Sequence, residues 1–180
     1  ALMKLVLAIL VTVAILGAVV PAVYAQETKP INLALFDPVQ IFKNDVAIKG
    51  FRFNLIYGKS AAMTGLDIGL VNWVTGETKG IQWGLINNTM GNFTGWQTGP
   101  VGITGGHMLG IQTGWLASIN GSGKGLQWSA VTISDDFIGL QLGIVNYAVE
   151  LHGIQIGLLN IIKNGGMLPF FPIFNFSFDK

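Results

Sequence analysis

Residues 139–160 read GLQLGIVNYAVELHGIQIGLLN, in which one eight-residue phrase, glycine–apolar–Gln–apolar–glycine–apolar–apolar–Asn, occurs twice, fourteen residues apart. The phrase extends backwards through the chain. GLDIGLVN begins at Gly65, GIQWGLIN at Gly80, GWQTGPVG at Gly95, GIQTGWLA at Gly110 and GLQWSAVT at Gly125, ahead of the two at Gly139 and Gly153. The spacings are 15, 15, 15, 15, 14 and 14 residues, and the glycine–apolar–Asp/Gln start survives in all seven units. This is a tandem repeat, and its array spans residues 65–160.

Each unit alternates. In the last, Ile154, Ile156 and Leu158 point one way and Gln155, Gly157 and Leu159 the other, which is the period of two of a β-strand. A helix would need apolar residues three and four apart, and each glycine would cost it about 1 kcal/mol. The segments between units are turn-like: TGETKG, NTMGNFTG, GITGGH, NGSGKG and SDD. Alternating stretches also flank the array: INLALFD from Ile31, GFRFNLIYG from Gly50, and FFPIFNFSF from Phe170. Reading one strand per unit gives about ten short strands, with no helix after the leader.

The leader is residues 1–25. Lys4 supplies a positive start, LVLAILVTVAILGAVV an apolar core, Pro21 a break, and Val23-Tyr24-Ala25 a cleavage site with small residues. This predicts an exported protein, with residues 26–180 forming a single β-repeat domain. The alternative is a retained anchor, because the apolar run approaches the roughly 20 residues that a spanning helix needs. Only 11% of residues are charged against 51% hydrophobic, and the net charge of +1 gives no electrostatic case for nucleic acid. The chain has no Cys, so disulfides, thiolate metal sites and a thiol nucleophile are excluded.

Two all-β architectures fit a period near 15. One is an antiparallel up-and-down β-barrel of about ten strands, closed so that no edge is left. The other is a β-solenoid with 14–15-residue coils, in which like residues stack in parallel ladders and Asn72, Asn87, Asn146 and Asn160 form a corner ladder. The two are separable by experiment: Gln141 and Gln155 lie side by side in parallel coils and far apart in antiparallel strands. Charge favours the barrel. Between Gly80 and Ser134 the one charged residue is Lys124, in a turn, and a charge facing lipid at mid-depth costs about 2–4 kcal/mol. The outer face would then carry Leu66, Ile68, Ile81, Trp83, Trp96, Ile111, Trp115, Leu126, Trp128, Leu140, Leu142, Ile154 and Ile156. The inner face would carry Asp67 and the Gln residues at 82, 97, 112, 127, 141 and 155, together with the more apolar Ile86, Val145 and Leu159, which suggest a plugged interior. With GKSAAM (residues 58–63) as a hairpin turn, Arg52 lies diagonally from Asp67, and the two form an inward ion pair. Pro100 falls inside the third unit, where it would remove a ladder hydrogen bond.

No catalytic, cofactor-binding or metal-binding constellation emerges. His107 and His152 lack the partners of a metal site. GSGKG (residues 121–125) lacks the spacing of a phosphate loop, and the adjacent Asp135 and Asp136 read as a solvated turn. Asn87, Asn92, Asn120 and Asn175 match N-x-[ST] but read as turn and strand amides. The Trp residues could stack sugars, although packing or anchoring at an interface is the commoner use. Tandem G-[LIV]-Q-x-G-[LIV]-[LIV]-N units behind a leader resemble the bacterial surface-repeat proteins of spirochaetes and Bacteroidetes, over residues 51–178. The resemblance implies an exported or surface location more than an activity. The aromatic ending also resembles the last strand of outer-membrane barrels, with Asp179 and Lys180 as a departure. The expectation is a non-catalytic outer-membrane or surface β-repeat protein that meets a lipid bilayer, its protein or glycan partner open. The alternative is an exported soluble solenoid that binds a partner or self-assembles through a flat Gln- and Trp-bearing face.

Overall fold

In a computed structural model, which describes residues 27–178, each repeat unit lies beside the next in parallel register. Gly80 pairs with Gly95, Gln82 with Gln97, and Trp83 with Thr98. Further along, Gly139 pairs with Gly153 and Gln141 with Gln155, again parallel. The fold is a β-solenoid of about nine coils, and the up-and-down barrel is corrected to the alternative architecture. Among the described residues there is no helix.

The coil of residues 78–92 shows the anatomy. β5 (Thr78–Trp83) forms one wall, the chain turns at Gly84-Leu85, β6 (Ile86–Thr89) forms the opposite wall, and residues 90–92 turn it back. The first strands are β1 (Thr28–Phe36), β2 (Val39–Gln40), β3 (Ala47–Ser60) and β4 (Ala62–Val74). After β6 come β7 (Phe93–Thr98) and β8 (Val101–Thr104), then β9 (Met108–Leu142) and β10 (Val145–Asn164), which run on through their corners, and β11 (Phe170–Ser177). A unit is therefore two short strands and not one of ten residues. The turn at Gly84 also shifts the alternation: Gln82 and Asn87 both face inward, five residues apart, while Trp83, Leu85 and Ile86 all face out. This shift is why Ile86, Val145 and Leu159, assigned above to the inside, lie on the outer surface. The segment 58–63 is likewise no hairpin, since β3 and β4 on either side of it are parallel neighbours.

Glycine at the head of each unit has a steric cause. Gly110 has φ +137°, and a Cβ added there would lie 2.0 Å from the Gly95 carbonyl oxygen of the preceding coil. No side chain fits between backbones that close. Pro100 sits at the corner between β7 and β8, outside the ladders, and its carbonyl accepts from Trp115 N (3.0 Å) and Leu116 N (2.9 Å). The defect expected there does not arise.

Apolar residues fill one end of the flattened interior. Phe93, Met108, Ile119, Phe137, Ala148, Leu151 and Ile162 form one cluster, and Val46, Ile48, Met63 and Val74, with Phe42 against them, form another. The rest of the interior is polar. The ends of the stack are covered. β1 pairs parallel with β3 and antiparallel with β2, while β11 folds back antiparallel on β10. On β11, Pro172 lacks an N–H and Ile173 takes φ +74°, which disrupts the edge as a template for further strands.

Candidate functional site

Two features of the coil cross-section can act: the buried column of amides and the outer surface it leaves behind. The column begins with Arg52 beside Asp67, paired directly in adjacent strands. The expected inward ion pair is present, reached across parallel neighbours and not across a hairpin. Arg52 Nε donates to Asp67 Oδ1 (2.7 Å) and Nη2 to Oδ2 (2.6 Å), with both side chains fully buried. Arg52 Nη1 also donates to Ser60 Oγ (2.6 Å). The fork geometry and the extra donor to Ser60 are what make such a pair tolerable away from water.

From Asp67 the amides run in one direction. Gln82 Nε2 donates to Asp67 Oδ2 (3.0 Å), Gln97 to Gln82 Oε1 (2.9 Å) and Gln112 to Gln97 (2.7 Å). Gln127 donates to Gln112 (3.0 Å), Gln141 to Gln127 (2.6 Å) and Gln155 to Gln141 (2.8 Å). An ionised carboxylate only accepts, so Asp67 fixes the polarity of the whole series. Its far end is an acceptor, Gln155 Oε1, which has no partner. All six Gln side chains are fully buried, so their chemistry is spent within the core. The expected Asn corner ladder exists in two pieces. Asn54 donates to Asn72 and Asn72 to Asn87, then Asn146 to Asn160, each at 2.8 Å. Between them the column holds Gly102 and Ala117, which have no polar side chain, and Thr132, whose Oγ1 donates to Asn146 Oδ1 (2.8 Å).

The outer surface is the converse of the interior. None of the thirteen outward residues named from the sequence is buried. The corner after each unit's second glycine position carries Leu70, Leu85, Pro100, Trp115, Ala130, Ile144 and Leu158. Trp115 is 74% and Leu158 73% exposed. Apolar residues continue down both walls: Ile81, Trp83, Ile111 and Trp128 on one, and Ile86, Val101, Leu116, Val131 and Val145 on the other. The opposite corner carries the charge. Lys49, Lys59, Glu77, Lys79, Lys124, Asp135, Asp136, Glu150 and Lys163 all lie on it or beside it. Along it Asn92 Nδ2 reaches Glu77 (3.5 Å), His107 N donates to Asn92 Oδ1 (2.9 Å), and the His107 ring meets Ser122 Oγ.

The remaining candidates fall as follows. His107 lies exposed on the charged corner, and His152 sits on an outer wall with its ring edge-on to Phe178 at 6.2 Å. Residues 121–125 pass through the charged corner, with Lys124 exposed. Asn87 and Asn175 are buried within the core, whereas Asn92 and Asn120 are exposed. Among the described residues no cluster of His, Cys, Asp and Glu could hold a metal ion, and no helix is long and apolar enough to cross a membrane. The leader, residues 1–25, lies outside the described residues. Sequence reasoning missed the apolar ridge as a separate feature. Its signal was the residue after the second glycine position of each unit, apolar in all seven. No protein-family model, curated protein or solved structure matches the chain.

Proposed function

We propose that the chain is an exported, non-catalytic surface protein whose working part is the apolar exterior of a rigid solenoid. One observation carries this reading: away from the apolar end of the core, amides are gathered inside and aliphatic and Trp side chains outside, which inverts the usual arrangement of a water-facing domain over that part of the coil. An exposed apolar surface of this extent marks a place where something else binds. The binding face bears Trp, Leu, Ile and Val. The Gln residues assigned to it above belong to the core and hold the surface flat from behind. The leader and the resemblance to surface-repeat proteins support an export route, and the chemistry of the face supports an apolar partner.

The test introduces charge on the outer wall with Ile81→Lys, Ile111→Glu and Ile154→Lys in the full chain. The variant is expected to keep its strand circular-dichroism signal and to lose most of its binding of an apolar-surface dye and its partition into a detergent phase. Unchanged dye binding and partition would overturn the reading.

A further inference from the structure

The exterior has a direction that its composition alone does not show. Through the repeat coils its charges occupy one corner, and its two most exposed apolar residues, Trp115 and Leu158, occupy the other. Leu70, Leu85, Pro100, Trp115, Ala130, Ile144 and Leu158 stack one coil above the next. Six steps at about 4.8 Å make a ridge roughly 29 Å long, parallel to the solenoid axis.

We propose that this ridge docks the solenoid edge-on into one leaflet of a lipid bilayer, with its axis in the membrane plane and the Glu77–Lys163 corner in water. The proposal rests on the preceding reading of the apolar exterior as the working surface and names its occupant. Three observations select lipid. First, the ridge runs along a corner of the coil, dented by an apolar hollow between Trp83, Leu85 and Pro100, and its two flanks are mainly apolar. A second copy or a rigid protein could cover one wall and would leave the other wet, whereas a fluid monolayer wraps both. Second, the ridge offers almost nothing for a protein partner to bond. Protein interfaces carry about one hydrogen bond per 100–200 Å², and here the donors are a few indole N–H groups and the half-buried hydroxyls of Thr98 and Thr113, of which Thr113 Oγ1 is given to Thr98 Oγ1 (2.8 Å). One of these, Trp96 Nε1, is already given to Thr113 Oγ1 (3.1 Å). Third, the backbone suits hydrocarbon. Peptide groups along the ridge are paired between coils, as with Gly84 N to Thr98 O (3.2 Å), Val101 N to Leu85 O (2.9 Å) and Ile144 N to Ala130 O (2.8 Å). Unpaired peptide groups are what keep most irregular chain out of lipid. The buried Arg52–Asp67 pair is likewise kept from it.

Charge also sets the lipid class. The distal corner mixes Lys with Asp and Glu, and the whole chain carries +1, so binding follows apolar area and not anionic headgroups. Neither high salt nor an anionic lipid fraction is then expected to change it.

All five Trp residues lie between positions 73 and 128, so indole fluorescence reports on the solenoid and not on the leader. Two full-length chains are compared, each with four Trp→Phe substitutions. One retains Trp115 on the ridge, and the other retains Trp73 on the wall next to the charged corner. Phosphatidylcholine vesicles with brominated acyl chains are expected to blue-shift Trp115 and quench it at least about twofold more than Trp73, as an interfacial depth of roughly 5–10 Å requires. Equal quenching of the two overturns the proposal. So does a Trp115 already hidden from aqueous iodide without vesicles in a chain that sediments as a dimer or larger. That result makes a second copy the occupant and leaves the apolar-surface reading standing. A monomer whose Trp115 stays open to iodide with and without vesicles overturns both. If the single-Trp chains do not fold, the native Trp set is measured with Leu85→Glu, Ile144→Glu and Leu158→Glu. Bromolipid quenching is expected to fall severalfold, and unchanged quenching again overturns the proposal.

Discussion

The amides of Gln82, Gln97, Gln112, Gln127, Gln141 and Gln155 and those of Asn72, Asn87, Asn146 and Asn160 line opposite walls of one narrow interior, yet only the first column is unbroken. The difference lies in reach. A Gln side chain spans to the next coil and also crosses the core. Besides their in-column bonds, Gln97, Gln112, Gln127 and Gln155 approach the carbonyls of Ile103, Ser118, Ile133 and Ile161 on the far wall, at 3.4, 3.4, 3.4 and 3.1 Å. Each of these four thus joins coils along the axis and walls across it. An Asn side chain is one carbon shorter and serves the corner. Asn87 Nδ2 donates to Gly84 O (3.2 Å) and Thr98 O (2.8 Å), and Asn160 Nδ2 to Gly157 O (2.8 Å). Where the Asn column lapses at Gly102, the space is needed by its neighbours. A Cβ there would lie 2.8 Å from Gln97 Oε1 and 3.2 Å from Gln112 Nε2. The Gln column integrates the fold, and the Asn column finishes turns.

The largest effect should come from the head of the Gln column. Arg52→Met strands the Asp67 carboxylate without water or counter-charge, and unfolding in urea should show a loss of about 3–5 kcal/mol. Adding Asp67→Asn should recover most of it, because the neutral amide removes the stranded charge and keeps an acceptor for Gln82 Nε2. A double variant as unstable as the single would mean that the unpaired charge is not the source of the loss.

The two columns are compared next. Gln112→Leu leaves Gln97 Oε1 without its donor and Gln127 Nε2 with only long contacts to Ala117 O and Ile133 O. Its expected cost is about 2–4 kcal/mol, the sum of two orphaned groups. Asn87→Leu should cost only about 1 kcal/mol, because its neighbours keep second partners. Asn72 Nδ2 still donates to Trp83 O (2.9 Å), and Thr98 O still accepts from Gly84 N (3.2 Å). Equal losses in denaturation would erase the distinction between the columns. The smallest effect belongs to the ridge: Leu85→Lys, at a half-exposed corner, should shift stability in plain buffer by no more than about 0.5 kcal/mol. A larger loss would show that the ridge is part of the folding core.

Much of the fold was legible. Alternation and the 14–15-residue period made the chain all-β and repetitive, and the positions of Gln against Ile, Leu and Trp assigned the two faces correctly. Arg52 and Asp67 were legible as an inward pair, since opposite charges within strands whose other side chains are mainly uncharged have few other ways to be satisfied. The direction of neighbouring strands was not. A barrel in lipid and a solenoid with an amide core both ask for Gln inside and aliphatics outside, so the pattern that favoured the barrel holds in either. The parity shift at Gly84 was hidden for the same reason. A two-residue corner of glycine and leucine reads as a continuation of the strand, and this misplaced Ile86, Val145 and Leu159.

Composition and spacing by themselves thus determined that this protein stacks like residues at a fixed period and keeps ionic groups off one surface. Local sequence encodes side-chain size and polarity, and these suffice to say which side chains can share a wall. Only the tertiary structure decided that the stacking is parallel and that the charges collect on one corner opposite an apolar ridge. Those properties depend on where the chain turns in three dimensions, which is set by how closely backbones approach at positions such as Gly110 and by which carbonyls a Gln can reach across the core.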